Sequence, residues 1–435
     1  SVRQLSLIDF NQPLQVRHIP LSVTQLSLYR FNQQLQFGHI PQSVTHLSLS
    51  DFNKPLQVGH IPQSVTQLSL EYFNKPLEVG HIPQSVTHLS LVRFDQPLQV
   101  GHIPQSVTQL LLVDFDRPLQ VEYVPQSVTQ LFLARFNQPL QVGHIPQSVT
   151  QLSLDDFDHP LQVGHIPQSV TEYSSSSFDQ PLQAGHIPHS VTQLTLRDFN
   201  QPLQVGHIPQ SVTQLSLTIF DQPLQVGHIP HSVTQLSLRD FNQTLQAGHI
   251  PPLVAQLSLT EFNQPLQVGH IPQSVRRLAF GFFDKYLTTG YIPFVTSLTI
   301  KYCGFSPENL NLHGHTHLNE LTVVHSPGRN SRQAASSFLD LNSDYLAKMK
   351  GLSHLIIQIR PLVQLSAISE GLPPSFLHLL KSIPTITLQF MRLQFTDFET
   401  TWRLIDDQTA VFVPVTDANC NGVISFWNFP KTTNN

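Results

Sequence analysis

"FNQPLQVGHIPQSVTQLSL", residues 136–154, decides the fold. The same phrase returns at Phe199. Near copies open at Phe52 ("FNKPLQVGHIPQSVTQLSL") and at Phe262 ("FNQPLQVGHIPQSVRRLAF"). Phe recurs every 21 residues from Phe10 to Phe283, fourteen copies without a slip. Leu14, Pro20 and Val23 recur with it, Val295 coming one place early, and the residue after Phe is always Asn or Asp. A strict period of this length means a solenoid, each coil burying its apolar face against its neighbours.

Within a coil, Val23, Leu26 and Leu28 read V-x-x-L-x-L. The alternation Leu26-Ser27-Leu28 predicts a short strand with its leucines inward. Val16, Ile19, Phe31 and Leu35 are expected to complete a core of about seven inward residues per coil. The Asn/Asp position shares only a side-chain oxygen acceptor, which predicts a local Asx-turn ahead of the Pro13-type prolines. Gly38 gives way to Arg17 and Glu122 in two coils, so positive φ is not strictly demanded there. Two prolines per coil forbid a helix on the return side. With strand and return side spaced alike, the coils predict a nearly straight rod, roughly 65 Å long. One coil departs: "VTEYSSSSF" puts Tyr173 and Ser175 where strand leucines belong, either drift or a notch for docking.

The composition narrows function. Charged residues make up 12% of the 435 and the net charge is -5, against binding nucleic acid through phosphate neutralisation. Two cysteines, Cys303 and Cys420, cannot build a disulfide framework. No apolar run approaches a membrane span. The chain opens in mid-repeat at Ser1 and its only methionines are Met349 and Met391, which predicts a further N-terminal segment.

The recurring F-N-x-P-L-x-x-G-x-I-P-x-S-V-x-x-L-x-L resembles the FNIP repeat family, a leucine-rich-repeat variant of social amoebae and of giant viruses that infect amoebae. The resemblance covers about residues 1–300, with a shorter unit than is usual for the family. It implies a leucine-rich-repeat-like solenoid with a parallel sheet, and a protein-interaction role. Some members carry an F-box ahead of the repeats, which would make this chain a substrate receptor for ubiquitylation acting inside a cell, in the host cytoplasm if viral. No F-box is visible in the sequence.

After residue 300 the phrase stops but the strand signature continues at Leu318-x-x-Leu321-x-Val323, Leu352-x-x-Leu355-x-Ile357 and Ile383-x-x-Ile386-x-Leu388. The wider spacing holds helix-like stretches at 334–350 and 373–383, the second opened by proline. Residues 301–435 therefore read as a helix-containing, leucine-rich-repeat-type C-terminal cap on the 1–300 solenoid, with "TAVFVPV" (409–415) as a last strand.

Three constellations bear on function. His18, His39, His60, His81, His102, His144, His165, His186, His207, His228, His249 and His270 form a row in which Tyr123 and Tyr291 fill the other two slots. Tyr is a poor substitute for a ligand but a good planar stacker, so the row reads as a structural ladder, with pH sensing and metal binding as the sharper alternatives. "HGHTH" (His313, His315, His317) reads as a turn between repeats before it reads as a zinc site. The two residues before each Phe vary most and are half charged: Tyr29 and Arg30, Asp51, Glu71 and Tyr72, Arg93, Asp114, Arg135, Asp155 and Asp156, Arg197 and Asp198, Arg239 and Asp240, Glu261, and Phe282. They form either a charge ladder between rungs or a partner-binding stripe. Asp155 and Asp156 beside Asp114 imitate a catalytic carboxylate set, without a pocket signal. The sequence points to no catalytic residue, cofactor or metal. It predicts a non-enzymatic scaffold for protein partners. The alternative is a structural or virion-associated protein that self-associates through its polar Gln rows.

Overall fold

The structure is a computed structural model describing residues 2–281, 283, 285–302, 310–312, 315–325, 352–359, 383, 385–390, 398–404, 409–415 and 425–428. It divides into two compact units, Ser1–Leu217 and Thr218–Asn435. Each is a parallel β-solenoid in its repeated part.

In the first unit every coil contributes one short strand: β1 (Gln4–Leu7), β2 (Gln25–Leu28), β3 (His46–Ser50), β4 (Gln67–Glu71), β5 (His88–Val92), β6 (Gln109–Val113), β7 (Gln130–Ala134), β8 (Gln151–Leu154), β9 (Glu172–Ser175), β10 (Gln193–Leu196) and β11 (Gln214–Leu217). Neighbours pair parallel in a register of one coil, so Leu26 lies beside Leu47 and Leu49 beside Leu70. The second unit opens with β12 (Gln235–Leu238), β13 (Gln256–Leu259), β14 (Arg277–Phe280), the short β15 (Leu287–Thr288) and β16 (Ser297–Tyr302). It continues with β17 (Leu310–Asn311), β18 (Glu320–His325), β19 (His354–Ile359), β20 (Thr385–Phe390), β21 (Phe398–Leu404), β22 (Thr409–Val415) and β23 (Ser425–Asn428).

The strand signature beyond residue 300 holds: Leu298, Leu321, Leu355 and Ile386 fall in one column across β16, β18, β19 and β20. Beyond β20 the direction changes. β21, β22 and β23 add antiparallel. Residues 409–415 are a strand as expected, but β23 lies outside it. The expected helices at 334–350 and 373–383 lie outside the described residues, apart from Ile383, as do Cys303, Cys420, His313 and Phe282.

The core is six apolar columns rather than seven. Leu14, Ile19, Val23, Leu26, Leu28 and Phe31, with their equivalents, are buried. The phenylalanine rings stack directly: Phe31, Phe52, Phe73 and Phe94 follow one another at 6.1–6.2 Å and are tilted by no more than 7°. Val16 was expected inward and is not; it is 62% exposed, and Val58 and Val79 lie outside with it. The reason is a β-turn. His39 N–H donates to Gln36 O at 3.1 Å, and Gly38 between them has φ +81°. Positive φ at the third turn position is the type II pattern, which sends the second-position side chain, Phe37 here and Val in most other coils, to the surface.

Polar rows tie coil to coil. The Asn/Asp oxygen does not close a local turn; it accepts the N–H of the Asn/Asp one coil on, as from Asn32 to Asn11 at 2.9 Å and from Asn242 to Asp221 at 2.8 Å. The acceptor requirement read from the sequence is met between coils. Gln amides join the same oxygen, Gln96 to Asn74 at 2.9 Å. Ser43 Oγ donates to Val23 O at 2.7 Å, and Thr45 Oγ1 to Thr24 O at 3.1 Å, which accounts for the recurrence of Ser and Thr in "SVT". Turn bonds within a coil, such as Val44 N–H to Pro41 O at 3.1 Å, and these bonds between coils together satisfy the backbone groups they involve.

Candidate functional site

The outer faces of β2–β7 carry two rows. Gln25, His46, Gln67, His88 and Gln109 form one; Ser27, Ser48, Ser69, Ser90, Leu111 and Phe132 form the other. Strand alternation aims these side chains away from the core. Together they line a groove of about 420 Å³. Ser is the usual occupant of the second row, and serine costs nothing on a wet sheet. Leu111 and Phe132 break it at neighbouring positions in register, and Phe132 stays 38% exposed. They add apolar surface that the coil core does not use. The signal was present in "LLL" and "LFL" where most other coils read "LSL".

The strand-end stripe is a ladder of pairs. Arg30 Nη1 sits 2.7 Å from Asp9 Oδ1, and Arg135 Nη1 the same distance from Asp114 Oδ1. Arg93 lies 3.7 Å from Asp114 and stacks over the Tyr72 ring at 4.2 Å. Arg239 lies 3.6 Å from its neighbour Asp240. Tyr29, Asp156, Arg197, Asp198 and Glu261 are exposed, Asp51, Glu71 and Asp155 half-buried. Asp114 is thus held between Arg93 and Arg135 rather than poised beside Asp155 and Asp156. The second stripe residue adopts left-handed φ from Asp9 (60°) through Arg30, Asp51, Tyr72, Arg93, Asp114 and Arg135 to Asp156 (63°). Among the described residues the stripe beyond Asp156 does not. Such a conformation costs a non-glycine residue roughly 1–2 kcal/mol. The hydrogen bonding differs in step: Tyr72 and Arg93 N–H reach forward to Val92 and Val113 O, whereas Asp240 and Glu261 N–H reach back to Thr218 and Arg239 O.

The histidine row seals the type II turns. While His144 N–H donates to Gln141 O, Gln141 N–H donates to His144 Nδ1 at 3.2 Å. The arrangement repeats at His18, His39, His60, His81, His102, His165, His186, His207, His228, His249 and His270. A ring whose Nδ1 accepts carries its proton on Nε2 and is neutral. Burial pushes His144, His228 and His270 below the ordinary imidazole range; in His60, His165 and His249 neighbouring imidazoles add to that burial. The turn also corrects the glycine reading: φ is positive at Gly38, Gly59 and Gly80, and Arg17 (74°) and Glu122 (70°) adopt it too.

His315 is buried, with Nε2 2.6 Å from Ile292 O and Nδ1 accepting Leu318 N–H at 2.9 Å. Both its nitrogens are committed to backbone, while His317 is exposed. Among the described residues no cluster of three or more His, Cys, Asp or Glu is placed to hold a metal, and no helix is long and apolar enough to cross a membrane. In the ninth coil Tyr173 and Ser175 fill the leucine columns. Ser175 Oγ donates to Leu154 O at 2.7 Å, but the Tyr173 hydroxyl is buried without a hydrogen-bond partner. Burial pushes that phenol far up; Ser175, which opposes the shift, lies near but directs its own proton to Leu154 O rather than to the phenol.

A family profile described as FNIP Repeat matches residues 10–51, 52–92, 94–134, 136–172, 178–219, 220–261, 241–283 and 262–303. No curated protein sequence matches. Among solved structures the fold is similar to that of CroV588, from a giant virus, described as a novel circular LRR protein. The TM-score is 0.61 at 23% identity, over 82% of this chain and 59% of that one. The chain therefore spans less than two thirds of that protein's length.

Proposed function

The chain belongs to the FNIP repeat family, and from that premise we propose that it is a non-enzymatic scaffold that binds a protein partner across the outer faces of β2–β7. The observation that carries this is the groove of about 420 Å³ with Leu111 and Phe132 at one end. An exposed aromatic beside polar rows is the composition of a protein-binding patch, where a few apolar anchors give most of the energy and polar neighbours fix orientation. The Arg/Asp ladder borders the same strands at their C-terminal ends and adds charge-dependent selection. On this reading the protein acts inside a cell, in the host cytoplasm if it is viral. Where the same polypeptide carries an F-box, the scaffold becomes a substrate receptor for ubiquitylation.

The test is proximity labelling in the native host cell with the wild-type chain, Phe132→Ala and the charge reversal Arg93→Glu/Arg135→Glu. Proteins labelled by the wild type are expected to be lost with Phe132→Ala and reduced with the reversal. Unchanged labelling by Phe132→Ala would contradict the proposal.

A further inference from the structure

The type II turns build a ridge away from the strand face. In the first unit Val16, Phe37, Val58, Val79, Val100 and Val121 stand on it, each more than half exposed, Phe37 at 76%. All but Val100, whose next coil carries Glu122 in that slot, lean over the glycine of the next coil: a Cβ added to Gly80 would lie 3.4 Å from Val58 Cγ2. Nothing in the coil needs these side chains to be apolar, since a type II turn accepts polar residues at the second position equally well. A continuous apolar strip of this kind marks a contact surface.

Two residues on the ridge break the glycine rule, and they carry opposite charge. Arg17 stands beside Val16 and Glu122 beside Val121, five coils apart. Both are exposed, both sit at positive φ, and neither has an ion-pair partner among the described residues. Twelve other coils carry glycine there, so the fold gains nothing from these charges.

We propose that the ridge docks a second copy of this chain, antiparallel, with the first ridge turn against the sixth. A twofold axis between the third and fourth turns brings Arg17 to the partner's Glu122 and Glu122 to the partner's Arg17. This is the isologous pattern of a symmetric dimer. The axis also sets like rows face to face, so Glu78, the other charged group flanking these six turns, meets the partner's Gln57. Six turns at about 4.8 Å per rung make a strip roughly 25 Å long. Covering it and its flanking glutamines buries on the order of 600–800 Å² per copy, close to a standard interface. Stacked strands twist, so two such ridges stay in contact over only several rungs. The apolar strip supplies attraction in any register; the charge pair selects one.

The experiment is sedimentation velocity on the full chain from low to high micromolar concentration, with circular dichroism melts of every variant. Wild type is expected to show reversible monomer–dimer exchange. Glu122→Arg or Arg17→Glu weakens the dimer by about tenfold or more, and the double swap Arg17→Glu/Glu122→Arg restores it. Glu122→Gly separates folding from association: it relieves the positive φ and raises the melting temperature while weakening the dimer. Phe132→Ala, on the other face, leaves the dimer intact. A wild type that stays monomeric, a dimer indifferent to single reversals, or a double swap that fails to restore it overturns the proposal.

Discussion

The phenylalanine column and the valine ridge run along the same coils, and both recur as apolar rows, although the ridge admits Phe37, Ala184, Ala247 and Thr289 where the Phe column never varies. The fold sends them opposite ways. Phe115 is fully buried and stacks on Phe94 at 6.3 Å, whereas Val100, in the coil that leads up to Phe115, is 55% exposed. Apolar recurrence alone therefore does not say whether a row faces core or water; the fixed Phe row is buried and the looser Val row is exposed. Turn chemistry decides that. Phe follows the strand-end turn back toward the leucines, and Val occupies the outer corner of a turn whose next residue has positive φ.

The largest expected effect tests the buried side of that comparison. Phe115→Ala removes a ring between two coils and is expected to cost about 3–5 kcal/mol in urea unfolding. A loss under 1 kcal/mol would break the idea that the stack carries the fold. The second test concerns the imidazole that seals the ridge turn. Buried histidines such as His144 and His249 have folded pKa values below their unfolded value of 6.5. The unfolded chain therefore binds more protons in the window just below that value. Stability is full above it and falls as pH drops through it. Thermal melts at pH 7.5 and pH 5 should show the lower midpoint at pH 5; an equal or higher one would sink this account of the row.

Smaller effects sharpen the comparison. Tyr173→Phe removes a buried hydroxyl with no partner and is expected to stabilise by about 1 kcal/mol. A clear loss would mean that the phenol is satisfied in the folded chain. At the bottom of the scale, Val100→Ala should change stability by no more than about 0.5 kcal/mol, measured by urea unfolding at a concentration where the chain is monomeric.

Much of the fold was legible because the period is strict. V-x-x-L-x-L located the strands of the coils, the period alone placing β9, and its continuation at Leu321, Leu355 and Ile386 placed β18, β19 and β20. The Val16 row was misplaced because hydrophobicity was weighed without the Gln-Val-Gly-His turn around it. The Asn/Asp oxygens were correctly read as acceptors, but a single coil cannot reveal that the donor lies 21 residues on, as between Asn53 and Asn32. The charge ladder was visible as alternating signs at Asp9, Arg30, Arg93 and Asp114. The groove was not, because Leu111 and Phe132 look like two more apolar residues in a leucine-rich phrase until strand alternation turns them outward.

The claim that turn geometry places one recurring apolar column inside and the other outside is tested most directly by thiol labelling of native, dilute protein. The probes are Leu98→Cys and Val100→Cys, two residues apart in one coil, read at the level of the peptide. The account predicts rapid labelling at position 100 and protection at position 98 until the chain unfolds. Protection at both positions, or labelling of 98 ahead of 100, would contradict it.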